Sequence, residues 1–123
     1  MLAAGVPQAD SDHARKCVAA AIDMLQHVSS LPLVNGQALK IRIGINSGSV
    51  IAGVIGKNKF VYDMWGDTVN IAQRMESHGV AGKIQISDAT KKLVHEYFEV
   101  CDPVEKDIKG RGRLLTYTIG FSY

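Results

Sequence analysis

The sequence predicts a domain of the α/β or α+β class, in which helices pack on a β-sheet. Segments whose apolar residues recur every three or four positions alternate along the chain with segments whose apolar residues recur every second position. The chain has 123 residues, of which 46% are apolar and 21% are charged. This composition suits one soluble globular domain with a modest core, so we expect residues 1–123 to form a single unit.

The first predicted element is a helix that Ser11 caps and that continues to about Val28. Its hydrophobic residues recur at helical spacing, which gives the helix one buried face; they are Ala14, Cys17, Val18, Ala21, Ile22, Leu25 and Val28. Pro32 and the dipeptide Asn35-Gly36 then favour a loop.

The next segments have the spacing of β-strands. Over residues 39–45, apolar residues alternate with polar residues or glycine, which predicts a half-buried strand. Residues 57–59 predict a turn into a second strand over residues 60–64. Residues 1–5 have the pattern of the end of a strand that runs into a loop.

Glycines are concentrated in the segment SGSVIAGVIG, residues 47–56. A phosphate-binding P-loop needs Gly-Lys followed by Ser or Thr, whereas Val54 follows Gly53 here. The segment is therefore not a P-loop, and we expect its glycines to allow tight turns or close packing.

The second half of the chain predicts two more helices and the remaining strands. Gly66 and Asp67 supply a break and an N-cap before a helix over residues 68–77, and Ser87 or Asp88 caps a helix that continues to about Tyr97. Strands are predicted over residues 83–86 and 114–119, and residues 98–112 suit a strand with a loop or a hairpin.

Charge, hydropathy and cysteine spacing argue against several classes of partner. The net charge of +2 gives no surplus that would predict a nucleic acid or a membrane surface. No apolar stretch approaches the ~20 residues of a membrane-spanning helix, and no signal peptide begins the chain. We therefore expect a cytoplasmic location, with a membrane tether upstream of this chain left open. Neither the two cysteines nor the four histidines have the spacing of metal ligands.

The segment YDMWGDTVNIAQRM, residues 62–75, combines apolar residues with polar groups that are costly to bury. Asn70 and Arg74 are four residues apart and so share one face of the predicted helix. Arg74 could simply pair with Glu76 and Asn70 could be solvated. Asp63 could accept hydrogen bonds from a nearby loop. Together, however, the three side chains would suit one wall of a nucleotide site near a helix start.

This segment, continued as YDMWGDTVNIAQRMES, stands between IRIGINSGSVIAGVIGKNKF and the later blocks GKIQIS and IKGRG. The whole set, in this order, resembles the catalytic domain of class III nucleotidyl cyclases. The resemblance implies an α+β fold of ferredoxin-like type with a mainly antiparallel sheet. It also implies that the chain is the C-terminal two thirds or so of that domain and lacks its N-terminal elements. We therefore expect exposed sheet edge and apolar surface, and no activity from the chain alone.

The resemblance implies a role for each residue that matches the motifs. Arg74 would stabilise charge on the α-phosphate and Asn70 would orient the ribose. Asp63 would select the purine, since its acceptor oxygens suit the adenine amino group and oppose the guanine carbonyl. Met64 and Trp65 would line the base pocket. Lys109 would contact the triphosphate, although its segment, IKGRGR, also suits a solvated basic hairpin.

The cofactor and the partners also come from the resemblance. The parent domain would use Mg²⁺ or Mn²⁺ to convert ATP to cyclic AMP and pyrophosphate. The metal-binding aspartates and a purine-selecting lysine would precede Met1, so we expect no metal bound by this chain. A second cyclase domain, arranged head to tail, would complete the site. Two alternatives stay open: a non-catalytic nucleotide-binding regulatory module and a guanylate cyclase.

Overall fold

The computed structural model describes residues 1–6, 8–55, 61–101, 103–108 and 112–120, without the side chains of residues 54, 55 and 61–63. The fold is α+β, as predicted, with helices packed on a mainly antiparallel sheet. Its elements, in chain order, are α1 (His13–Ser29), β1 (Ile43–Ile45), β2 (Ile51–Ile55), β3 (Val61–Trp65), α2 (Asp67–Ser77), β4 (Ile84–Ser87), α3 (Asp88–Val94), β5 (Glu99–Val100), β6 (Val104–Ile108) and β7 (Gly112–Gly120).

The main sheet has the strand order β1-β4-β7-β5, and β6 also pairs with β7. Strands β1 and β4 are parallel, with Ile43 opposite Ile84. The pairings of β7 with β4, β5 and β6 are antiparallel. Strands β2 and β3 form a separate antiparallel pair, in which Gly53 stands opposite Asp63.

The main apolar core lies on the side of the sheet that faces α1. This helix contributes Val18 and Leu25 to a buried cluster that also contains Ile84 and Ile86 of β4 and Val94 of α3. Period-two alternation in β4 then leaves Gln85 on the opposite side, where it reaches the backbone of α2.

Helix α2 lies so close to β1 that a side chain would not fit between them. A Cβ atom at Gly44 would stand 2.0 Å from the backbone nitrogen of Glu76. Glycine is needed here for the close approach of two backbones, although Gly44 lies outside the glycine-rich segment for which close packing was predicted. The contact places α2 directly over β1 and β4.

The first predicted strand, residues 39–45, was too long, because pairing begins only at Ile43. The segment that precedes the partner strand β4 forms a turn at residues 80–83, where Lys83 N donates to the Val80 carbonyl. Gly82 N still donates to the Ile41 carbonyl, so Ile41 packs against the core without belonging to a ladder. Alternation marked the buried face correctly at Ile41, Ile43 and Ile45 but not at Leu39, which is 48% exposed. The strand is short because its partner strand is short.

Other predicted boundaries also need correction. Residues 1–6 contain bends instead of a strand end, and the glycine-rich segment contributes the unpredicted strand β2. Helix α3 ends at Val94, not near Tyr97, because the Val94 carbonyl accepts from the amides of residues 97 and 98 in a tighter turn. The helix caps are Asp12 for α1 and Gly66 for α2, instead of Ser11 and Asp67, and Ser87 for α3, as predicted.

Candidate functional site

Helix α2 presents a polar stripe to solvent. Asp67, Asn70, Arg74 and Ser77 are all exposed and follow one another at helical spacing. The opposite side of the helix buries Met75 completely. Asn70 and Arg74 therefore share an exposed face, as their spacing predicted.

The side chain of Arg74 makes no ion pair and no hydrogen bond with any other residue that the structure describes. Its suggested local partner is engaged elsewhere, because Glu76 Oε1 lies 3.2 Å from Arg42 Nη2. The Asn70 side chain also lacks a bonded partner among the described residues, although the backbone nitrogen of Asn70 donates to the Gly66 carbonyl. Both side chains are thus available to a ligand or to another protein surface.

The remaining predicted residues lie on or beyond β3. Asp63 occupies the middle of that strand, opposite Gly53, but its side chain lies outside the described residues. Met64 is half-buried, and Trp65 is 41% exposed immediately before the Gly66 cap of α2. Lys109 lies outside the described residues altogether.

A cleft of about 1540 Å³ opens between the N-terminal residues, β1 and α2. It is largely apolar, and α2 contributes Thr68, Val69, Ala72, Gln73 and Glu76 to it. Met64 lines this cleft, whereas Trp65, Asn70 and Arg74 do not. The described part of the chain therefore brings Asn70 and Arg74 together on one helix without enclosing them in a pocket.

A polar network that the sequence did not reveal joins the end of β1 to the starts of α2 and α3. Asn46 Nδ2 donates to the Thr68 carbonyl at 3.1 Å, and Asn46 Oδ1 accepts from Ser87 Oγ at 2.6 Å. Ser87 Oγ also accepts from the Thr90 amide and so caps α3. The signal available in advance was the polar pair Asn46-Ser47 directly after an alternating strand.

The described residues hold no cluster of three or more His, Cys, Asp or Glu side chains that could bind a metal ion. We derive no chemical step through a metal ion.

Comparison with known proteins identifies the family. Residues 1–120 match the model of the adenylate and guanylate cyclase catalytic domain. The chain belongs to this family. The cyclase chain is 36% identical over 121 residues to an adenylate cyclase of Mycobacterium tuberculosis. It is 38% identical over 121 residues to the guanylate cyclase soluble subunit beta-2 of Rattus norvegicus.

Coverage of these relatives is uneven. The alignments include 98% and 95% of this cyclase chain but only 27% and 17% of the mycobacterial and rat proteins, respectively.

Among solved structures, the guanylate cyclase domain of RhGC from Catenaria anguillulae, in complex with GTP, aligns with a TM-score of 0.88 at 38% identity. That alignment covers 97% of this chain and 65% of the solved one.

Relatives of this cyclase chain thus carry both adenylate and guanylate cyclase names. Among its described helices, none combines the length and the apolar character needed to cross a membrane.

Proposed function

We propose that this chain supplies the ribose- and phosphate-contacting part of a nucleotidyl cyclase active site, and that the parent protein converts ATP to cyclic AMP and pyrophosphate. The observation that carries the proposal is the exposed pair Asn70 and Arg74 on α2, with no bonded side-chain partner among the described residues. In a member of this family, contact with a nucleotide explains these two exposed side chains better than a local ion pair does.

The reaction joins the ribose 3′ oxygen to the α-phosphorus and breaks the bond from that phosphorus to the bridging oxygen of the β-phosphate. Pyrophosphate leaves, and the 3′ hydroxyl gives up its proton. Arg74 would offset the negative charge that grows on the α-phosphate oxygens. Asn70 would hold the ribose so that the 3′ oxygen is aligned for attack.

Asp63 supports ATP as the substrate. Its carboxylate can only accept hydrogen bonds, so it would pair with the adenine amino group and repel the guanine carbonyl. Met64 and Trp65 would contact the base, and Lys109 the triphosphate. Guanylate cyclase is the alternative, favoured by the names of the rat relative and the Catenaria domain.

A second cyclase domain would complete the site. Asn70 and Arg74 lie on an open helix face rather than in the cleft of this chain, so the opposite wall would come from elsewhere. The partner would supply the metal ligands, since the described residues hold no such cluster. We therefore expect no activity from the chain alone.

The test is a cyclase assay of the full-length protein with ATP and with GTP, in the presence of Mg²⁺ or Mn²⁺. We expect cyclic AMP as the main product. Arg74→Ala should lower kcat by ~10²-fold or more with a smaller change in KM, because Arg74 acts mainly on the transition state. Ser77→Ala is the matched control, since Ser77 lies on the same exposed stripe one turn on.

Three results would contradict the proposal. Equal kcat in Arg74→Ala and wild type would reject the role of Arg74. Cyclic GMP as the main product would favour the guanylate alternative. Nucleotide binding without any product would favour a regulatory module.

A further inference from the structure

The C-terminal end of α2 depends on a side chain from the sheet. The last carbonyls of a helix have no partner within the helix and need one elsewhere. In α2, the Arg74 and Glu76 carbonyls accept from the amides of His78 and Gly79. The Met75 carbonyl instead accepts from Gln85 Nε2 at 2.9 Å.

Gln85 is unusually well held for a polar residue. It is 3% exposed and occupies the central strand β4, between β1 on one side and β7 on the other. Its backbone is paired with Gly44 and Thr118 in the two neighbouring strands, so the Cα atom from which the side chain starts is held in place. A buried amide without a partner would be costly, which makes the bond to Met75 hard to lose.

Other side-chain hydrogen bonds lie at the ends of the same helix, among them one from Thr68 Oγ1 to the Ser49 carbonyl. Asn46 Nδ2 donates to the Thr68 carbonyl at 3.1 Å, and Lys106 Nζ donates to the His78 carbonyl at 2.7 Å. Both donors are more exposed than Gln85. α2 has no side-chain hydrogen bond at its own N-cap, because that residue is Gly66.

We propose that Gln85 is a positioning residue that fixes the axial placement of α2 on the sheet and, through it, the placement of Asn70 and Arg74. The inference rests on the proposed function for its catalytic consequence. Directional hydrogen bonding suits this task, whereas apolar contact alone permits sliding. Arg74 is the residue immediately before Met75, so a shift of the Met75 carbonyl moves the base of the Arg74 side chain with it.

A shift of α2 along its axis by less than the rise of one residue, about 1.5 Å, would already misplace Asn70 and Arg74. A misplacement of about 1 Å at a reacting group can cost ~10²-fold in rate. Loss of the Gln85 bond should therefore lower kcat strongly and change KM only slightly. The base-contacting residues lie on β3 and not on α2, so nucleotide affinity should depend less on this bond.

The test compares Gln85→Met with Ile86→Val in the full-length protein. Met is close to Gln in length but cannot donate to the Met75 carbonyl. Ile86 is the next residue of β4, points into the α1 side of the core and is fully buried. The Ile86→Val control therefore loosens the same strand without touching α2.

We expect Gln85→Met to lower kcat by about tenfold with KM changed by less than about twofold. Amide hydrogen exchange in α2 should become faster in Gln85→Met and stay unchanged in Ile86→Val. Lys106→Met, which releases only the end of α2, should have a smaller effect in the same direction. This variant also serves if Gln85→Met does not fold.

The proposal is overturned if Gln85→Met and Ile86→Val have the same kcat and the same exchange rates in α2. It is also overturned if Gln85→Met raises KM while kcat is kept. A wild-type protein that makes no cyclic nucleotide would reject the proposed function instead. In that event, exchange in α2 still decides whether Gln85 fixes the helix.

Discussion

The two sides of the sheet hold their helices in different ways. On the side of α1 and α3, apolar side chains meet, and Ile84 and Ile86 are fully buried. On the side of α2, the backbone approaches Gly44 closely, and Gln85 and Lys106 donate to helix carbonyls. Apolar burial is strong but non-directional, whereas hydrogen bonds and close backbone contact fix a distance. The first side therefore supplies the larger apolar cluster, whereas the second, which also buries Met75, fixes the position of its helix.

The largest expected effect is on the apolar side. Ile84→Ala should lower the free energy of unfolding by about 3 kcal/mol, because it removes buried methyl and methylene groups and leaves a cavity. Urea denaturation measures the loss. An exposed apolar residue, changed by Leu33→Ala, is the control, since Leu33 is 65% exposed. Equal midpoints for the two variants would show that this side is not the main source of stability.

On the α2 side, Gly44→Ala should lower the free energy of unfolding by about 2 kcal/mol, because the added methyl group forces β1 and α2 apart. Gly53→Ala is the matched control, because a Cβ there would meet only the Trp65 ring, at 3.8 Å. Thermal melts of both variants test the difference. If Gly44→Ala is as stable as Gly53→Ala, the close approach does not constrain the helix.

A third change, on β3, should alter the preference for ATP over GTP. Asp63→Cys should shift the ratio of kcat/KM for ATP to that for GTP toward GTP by ~10-fold or more, since it removes acceptors that match adenine. Competition assays with both nucleotides in the full-length protein measure the ratio. An unchanged ratio would contradict the role assigned to Asp63.

The smallest expected effect is that of an ion pair on the α3 side. A hydrogen bond from Lys92 lowers the pKa of Asp88, and one from Tyr117 Oη adds to this, whereas burial acts in the opposite direction. Because the folded pKa lies below the unfolded one, this contribution is present above the usual pKa of Asp and is lost as the pH falls through the folded value.

Asp88→Asn should therefore melt slightly below wild type at pH 7, and the two melting temperatures should converge toward pH 3. The effect is small because the Asp88 side chain is 40% exposed. A constant difference across this pH range would mean that the charge of Asp88 is not the cause.

Periodicity in the sequence was enough to place most of the elements. The spacing of apolar residues in α1 and the alternation around Ile43 reflect which faces are buried, and burial is a local property of the pattern. The glycine-rich strand β2 was missed, because an apolar run with glycine lacks that alternation.

In the candidate site, too, the sequence predicted some features and left others undetermined. The spacing of Asn70 and Arg74 determined that they share a helix face, and the family motifs determined which residues to consider. Where α2 lies depends on contacts between residues far apart in the sequence: Gly44 with Glu76, Gln85 with Met75 and Asn46 with Thr68. Only the tertiary structure could decide these contacts, because the strand register that brings them together is set by the whole sheet and not by any local pattern.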